Sequence, residues 1–234
     1  MQISGSVALV TGANRGIGRH FVQQLLERGA KKVYATARNP ELVDIPGVEA
    51  LKLDITDPAA VTAAAEAAQD VTLLINNAGS ATYANLIDAD LDKIRLEMDT
   101  HYYGTLRMVR AFAPILGAGG GGAIVNVLSA LSWFSYDGSN AYSAAKAAEW
   151  SLTNGVRLEL RGQGTLVTGV HLGAAATDML ARSGYEGDAI DPAEVSRAAL
   201  DGVEAGHIEV VVDEWSARVK ASLAGDPSLF YAAS

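Results

Sequence analysis

The sequence predicts an α/β fold: a Rossmann-like, doubly wound parallel sheet of about seven strands with helices on both faces, in one domain over residues 1–234. Three observations predict it. Short apolar or β-branched runs alternate with longer Ala- and Leu-rich segments at helical spacing. The runs are apolar almost throughout, not at every second position, which suits strands covered on both faces. A chain of 234 residues with 49% hydrophobic content can fill one large core.

Taken in order, the first run is 7–10, followed by a glycine turn and a helix over 18–27 that Gly29 can end. The second run, 32–37, stops at Arg38, and the third, 48–53, at Asp54. Asp57 before Pro58 reads as an N-cap and first helical residue for a helix over 58–68. A fourth run, 71–75, precedes a long helix over 91–116. The glycine-rich stretch 117–122 then reads as a flexible turn into the fifth run, 123–128. Helix 142–160 leads to the sixth run, 166–172, and Asp191 with Pro192 opens a helix over 192–203 ahead of the seventh, 208–212. An amphipathic stretch over 215–223 reads as a last helix, packed on the sheet edge or on another subunit.

The composition excludes several roles. A net charge of −9 with scattered Lys and Arg offers no basic stripe for nucleic acid. There is no cysteine, and His20, His101, His171 and His207 are far apart, so neither a disulfide framework nor a zinc site is expected. No run of about 18 apolar residues and no secretory opening is seen, so a cytoplasmic protein without membrane contact is the expectation.

Two regions carry chemistry. Thr11-Gly12-Ala13-Asn14-Arg15-Gly16-Ile17-Gly18 joins the first strand to a helix, the context in which glycines let backbone approach a pyrophosphate and a helix N-terminus meets its charge. No carboxylate stands at the tip of the second strand to hold a ribose 2′-hydroxyl. Arg38 stands there instead, and with Arg15 it could meet a 2′-phosphate, which favours NADPH/NADP+; otherwise both are solvated surface arginines. The second region is Tyr142 and Lys146, one helical turn apart, where an ammonium is expected to lower the phenol's pKa towards working pH for general acid/base chemistry. Ser129, at the end of the fifth strand, lies where the carboxyl ends of parallel strands form a ligand crevice and could hydrogen-bond a substrate oxygen.

These residues together resemble the short-chain dehydrogenases/reductases. The resemblance rests on Thr11 to Gly18, Asp54-Ile55, Asn76-Asn77-Ala78-Gly79, Ser129 and Tyr142-Ser-Ala-Ala-Lys146, in that order, and covers nearly the whole chain. It implies an NADP-dependent carbonyl reductase or alcohol dehydrogenase with a seven-stranded parallel sheet. Asp54 and Ile55 would lie at the adenine, Asn77, Ala78 and Gly79 beside the adenosine ribose, Lys146 on the nicotinamide ribose, and Thr177 at the carboxamide. Tyr142 would donate the proton while hydride reaches the carbonyl carbon. Two departures stand out. His101 occupies the place of an asparagine that supports a relay water, and either holds a water and passes a proton or only packs. Leu172 and Ala174 stand where prolines usually flank Gly173, which would loosen that loop.

Leu131, Trp133, Phe134 and Tyr136, between Ser129 and Tyr142, would wall an apolar substrate crevice, or else pack on a helix or neighbouring subunit. Tyr83 and residues 179–188 would form a mobile outer wall. By the resemblance, helices 91–116 and 142–160 build a homodimer; a homotetramer is less secure because Val210-Val-Val-Asp213 replaces the usual C-terminal motif. A small carbonyl or alcohol is the expected partner. The competing readings are a non-catalytic NADP-sensing or scaffold protein, which the joint presence of Ser129, Tyr142 and Lys146 argues against, and a sugar-nucleotide epimerase or dehydratase, which usually needs a larger substrate region.

Overall fold

The computed structural model describes residues 1–231. Seven parallel strands form one sheet in the order β3-β2-β1-β4-β5-β6-β7. They are β1 Val7–Thr11, β2 Lys32–Ala37, β3 Glu49–Lys52, β4 Leu73–Asn76, β5 Ala123–Val127, β6 Leu166–His171 and β7 Glu209–Val211. The order reverses between β1 and β4, which pair with Ala8 opposite Leu73, so the switch point and its crevice lie at their carboxyl ends.

Strand residues alternate between two cores. Ala8, Val10, Leu73, Ile75 and Val125 face α1 (Gly16–Glu27) and α7 (Pro192–Glu204), packing with Phe21, Leu25, Val195 and Leu200. Val7, Leu9, Leu74 and Ile124 face α2 (Pro58–Ala67), α4 (Thr105–Ala118) and α5 (Asn140–Glu159), packing with Val61, Met108, Phe112 and Val156. Both faces being covered accounts for the near-continuous apolar runs. The two expected caps form: Asp57 accepts from Ala59 N at 2.9 Å and Asp191 from Ala193 N at 2.8 Å. Each such cap contributes about 1 kcal/mol.

The long helix expected over 91–116 is interrupted. After α3 (Leu91–Met98) the chain winds through a π turn at Asp99–Gly104 before α4 begins. Close approach within the turn and at its end accounts for the interruption: His101 reaches inward to the Ser80 carbonyl, and a Cβ on Gly104 would lie 2.8 Å from Ile55 Cδ1. Beyond β6 come α6 (Asp178–Ala181) and, after β7, α8 (Glu214–Ser222). Asp213 caps α8 through Ser216 N and accepts from Gly173 N, both at 2.8 Å, while Trp215 meets Phe134 edge-on. The last amphipathic stretch therefore packs on the sheet's own end.

Among the described residues no helix is long and apolar enough to cross a membrane, and no group of three or more His, Cys, Asp or Glu side chains is set to hold a metal ion.

Candidate active site

The glycine loop is shaped by backbone that side chains would obstruct. Gly12 and Gly16 have φ of 66° and 52°, in the region that favours glycine. A Cβ on Gly18 would overlap the Gly12 carbonyl and lie 2.5 Å from Asn77 Nδ2. Asn77 Nδ2 donates to the Thr11 carbonyl at 2.9 Å, and Thr11 Oγ1 accepts from the N–H groups of Asn77 and Ala78, each at 2.9 Å. Asn77 thus ties the loop after β4 to the loop after β1. The first turn of α1 holds no acidic residue, so its N-terminal N–H groups offer undiluted positive charge. A bare loop ending in a helix N-terminus fits a dinucleotide diphosphate.

At the tip of β2, exposed Arg38 is close enough to Asp54 to affect its titration. Burial pushes the Asp54 carboxyl up, but the Thr56 hydroxyl and N–H and the Arg38 charge outweigh it, so the pKa falls below the ordinary value. Asp54 Oδ1 accepts from Thr56 N at 2.9 Å. Arg15 reaches the other way, with Nη1 3.4 Å from Asp178 Oδ2. The Thr177 methyl, at the start of α6, lies 3.3 Å from where a Gly16 Cβ would be. The glycine loop, Thr177 and α6 therefore share one rim.

Across the crevice, Ser129 caps a short turn after β5, its Oγ accepting from Leu131 N at 3.1 Å. Tyr142 and Lys146 project from α5, with Nζ 5.7 Å from the centre of the phenol ring. Lys146 Nζ donates to the Val127 carbonyl at 2.8 Å and to Glu149 Oε2 at 2.7 Å. Burial pushes the Tyr142 phenol up, the Lys146 charge pulls it down, Glu149 and Glu97 push it up again, and a hydrogen bond with Ser129 lowers it; the net direction is upward. This corrects the expectation of a lowered phenol. Desolvation and two carboxylates outweigh the ammonium, and the hydroxyl stays protonated as a donor. Lys146 is also raised: burial disfavours its charge, but Glu149, then Tyr142, more than restore it.

His101 joins this cluster. Its ring meets Tyr142 edge-on at 5.1 Å, and it sits beneath Gly79, where a Cβ would lie 2.8 Å from Cε1. Two residues that sequence reasoning passed over, Glu97 and Glu149, are buried beside it. Their signal was spacing: Glu97 is four residues before His101 and Glu149 three after Lys146, each on one helix face with its partner. Burial pushes the Glu97 carboxyl up, but His101 and the Thr82 N–H, which donates to it, hold it below the ordinary range.

The aromatic stretch divides. Trp133 stacks on His171 with centroids 4.0 Å apart and meets Trp150 edge-on, so its ring is committed to packing behind Ser129. Tyr136 is exposed and Leu131 half-buried. The Tyr83 hydroxyl donates to the Met179 carbonyl, which joins the two parts of the expected outer wall. His171 donates from Nδ1 to the Ser129 carbonyl at 3.1 Å; burial pushes its pKa down to about 4 against that bond, and Lys220 and Lys146 add to the lowering.

Comparison with known proteins places this geometry. The family model for short chain dehydrogenase matches residues 6–186. A short chain dehydrogenase from Burkholderia cenocepacia, solved in complex with NADP, superposes with a TM-score of 0.94 at 40% identity, covering 99% of this chain and 98% of that one. Carbonyl reductase [NADPH] 2 of Sus scrofa is 37% identical over 169 residues, 68% of each chain. NADPH-dependent 1-acyldihydroxyacetone phosphate reductase of Schizosaccharomyces pombe is 36% identical over 178 residues, 72% of this chain; the match spans only 60% of that reductase.

Proposed function

The chain belongs to the short-chain dehydrogenase/reductase family of NAD(P)-dependent oxidoreductases, and on that premise we propose that it uses NADPH to reduce aldehydes or ketones to alcohols, with Tyr142 as the acid. The observation that carries the proposal is the grouping of Ser129, Tyr142 and Lys146 across the switch-point crevice from a loop whose Gly12, Gly16 and Gly18 leave no room for side chains. The preference for NADPH rests on Arg38 at a β2 tip without a carboxylate. The names of the pig and fission-yeast relatives support it.

In this reading Gly12, Asn14, Arg15, Gly16, Ile17 and Gly18 hold the diphosphate, and Arg38, with Arg15, the 2′-phosphate. Asp54 and Ile55 take the adenine, Asn77, Ala78 and Gly79 the ribose beside it, and Lys146 and Thr177 the nicotinamide end. When bound, the cofactor supplies hydride to the carbonyl carbon. Ser129 orients the carbonyl oxygen by a hydrogen bond, and Tyr142, kept protonated by its surroundings, gives that oxygen its hydrogen. Lys146 then stabilises the phenolate that remains. Leu131 and Tyr136, with Trp133 behind them, form the substrate wall and favour apolar carbonyl compounds.

The whole chain acts as one domain and pairs as a homodimer, with tetramer assembly less favoured. Exposed Leu96 and Tyr103 on the α3–α4 segment and Leu158 on α5 support pairing through those helices. The test is NADPH oxidation with a panel of aldehydes and ketones. Tyr142→Phe is expected to lower kcat by about 10²–10⁴-fold with NADPH affinity retained. A phenylalanine variant that still turned over ketones would end the proposal.

A further inference from the structure

Lys146 shares its buried pocket with two carboxylates and an imidazole. From Lys146 Nζ the groups run to Glu149 Oε2 at 2.7 Å, from Glu149 Oε2 to His101 Nδ1 at 3.9 Å, and from His101 Nε2 to Glu97 Oε2 at 3.3 Å. Lys146, Glu149, His101 and Glu97 are only 5%, 2%, 1% and 0% exposed. Ionised carboxylates at such depth are costly unless paired, so a run of them beside one ammonium calls for a physical account.

The hydrogen bonds supply one. His101 Nε2 lies 2.8 Å from the Ser80 carbonyl, which can only accept, so Nε2 carries a hydrogen. Nδ1 is left facing Glu149 with no hydrogen-bond partner. A bare ring nitrogen opposite a carboxylate is repulsive, whereas a proton on that nitrogen is attracted to it across 3.9 Å. Charge leads to the same place. Lys146 at +1 with Glu97 and Glu149 at −1 each leaves the cluster at −1, and one further proton makes it neutral. Glu149 is fixed from its other oxygen by the Thr105 hydroxyl at 2.8 Å, which leaves Oε2 to Lys146 and His101. At the far end, half-buried Ser80 adjoins exposed Gly79, and its Oγ lies 3.5 Å from Glu97 Oε2, so the cluster runs from Lys146 to the surface.

Resting on the reading of Tyr142 as the acid, we propose that Glu149, backed by His101 and Glu97, is the proton relay that recharges Lys146 and, through it, Tyr142. When the Tyr142 O–H bond breaks and its proton goes to the substrate oxygen, a Lys146 N–H bond breaks and the phenol reforms. The proton carried on His101 Nδ1, facing Glu149 at 3.9 Å, passes by way of Glu149 to Lys146 and restores the ammonium. His101 is then neutral and one proton short at Nδ1, and a proton from solvent returns to that nitrogen while Nε2 keeps its hydrogen on the Ser80 carbonyl. Glu97, with Oε2 3.3 Å from Nε2, places a negative charge beside the ring. Two of the three N–H groups of Lys146 are engaged by Val127 and Glu149, so the relay leaves one for the cofactor side.

The groups facing His101 are Glu97 on α3, Glu149 and Tyr142 on α5, and Lys146 behind Glu149, so the pH dependence belongs to this set. Glu149→Gln keeps the shape and removes the titration. It is expected to lower kcat by about 10- to 100-fold with KM for NADPH within about twofold, most strongly at alkaline pH. Glu149→Ala should recover rate in proportion to added formate, which replacing a merely structural group would not produce. Glu97→Gln, farther from Lys146, should show a smaller loss of the same kind and stands in if Glu149 variants do not fold. Apart from turnover, ¹⁵N resonances of His101, assigned by their loss in His101→Asn, should move in Glu149→Gln and in Glu97→Gln. A wild type active on carbonyls with an unchanged kcat–pH profile in Glu149→Gln overturns the relay and leaves the reductase reading standing. An inactive wild type overturns that reading and the relay with it, and imidazole resonances unmoved in both variants overturn the relay alone.

Discussion

His171 gives the molecule a measurable sensitivity to acid. The imidazole is fully buried at the end of β6, stacked on Trp133, with Nε2 lacking any hydrogen-bond partner. A protonated Nε2 would meet only the Glu209 carboxylate, 3.8 Å away and already paired with Lys220, and burial holds the pKa at about 4 against an ordinary 6.5. The folded state therefore binds fewer protons than the unfolded chain between those values. Stability is undiminished above about pH 6.5, falls as the pH drops towards 4, and loses no more from this group below that. A difference of this size corresponds to roughly 3 kcal/mol in full, and to roughly 2 kcal/mol by pH 5. Denaturant unfolding of the wild type and His171→Asn between pH 7.5 and 4 provides the comparison. The variant should start lower, because stacking is lost, but its stability should fall less steeply between pH 6.5 and 4, until the wild type's advantage is gone. Glu97 does not confuse the comparison: its lowered carboxyl contributes stability that is lost as the pH falls from the ordinary 4.5 through its folded value, and it does so equally in both proteins. Parallel curves for the two proteins would refute the reasoning.

Two further predictions concern the cofactor crevice. Gly18→Ala must displace both the Gly12 carbonyl and the Asn77 amide; it is expected to cost about 1–3 kcal/mol of stability and to weaken NADPH binding, and unchanged values for both would remove the packing argument. Arg38→Asp, which puts a carboxylate at the β2 tip, should shift the ratio of kcat/KM for NADPH over NADH by at least about tenfold towards NADH; a ratio equal to wild type would show that Arg38 does not meet the 2′-phosphate.

The fold was legible because a sheet covered on both faces writes itself as apolar runs. Boundaries were less so. The edge strand β3 is Glu49–Lys52, mostly exposed, and it pairs on one side only. Asn76 closes β4 although it is polar, because buried Asn126 accepts its amide hydrogen at 2.8 Å and Thr153 in turn accepts from Asn126. Motif order was enough to bring out Ser129, Tyr142 and Lys146. It could not show that Glu97 and Glu149 point inward, since a glutamate on a helix is ordinarily solvated and only the packing of α3 against α5 buries these two. The direction of the Tyr142 pKa was hidden for the same reason. Likewise, Arg15 meets Asp178, 163 positions away, a pairing no local pattern records.

The wide turn at Asp99–Gly104 has a consequence for anyone altering the length of the chain there. Regular winding advances about 100° per residue. Deleting one residue to restore an even spiral would therefore rotate α3 against α4 by roughly that angle. Met108 and Phe112 would keep their seats while Glu97 swung out of the pocket and the exposed Leu96 swung off the surface. The turn sets the angular phase between two stretches of one rod, so an alignment that closes a gap across it would equate residues that face different directions.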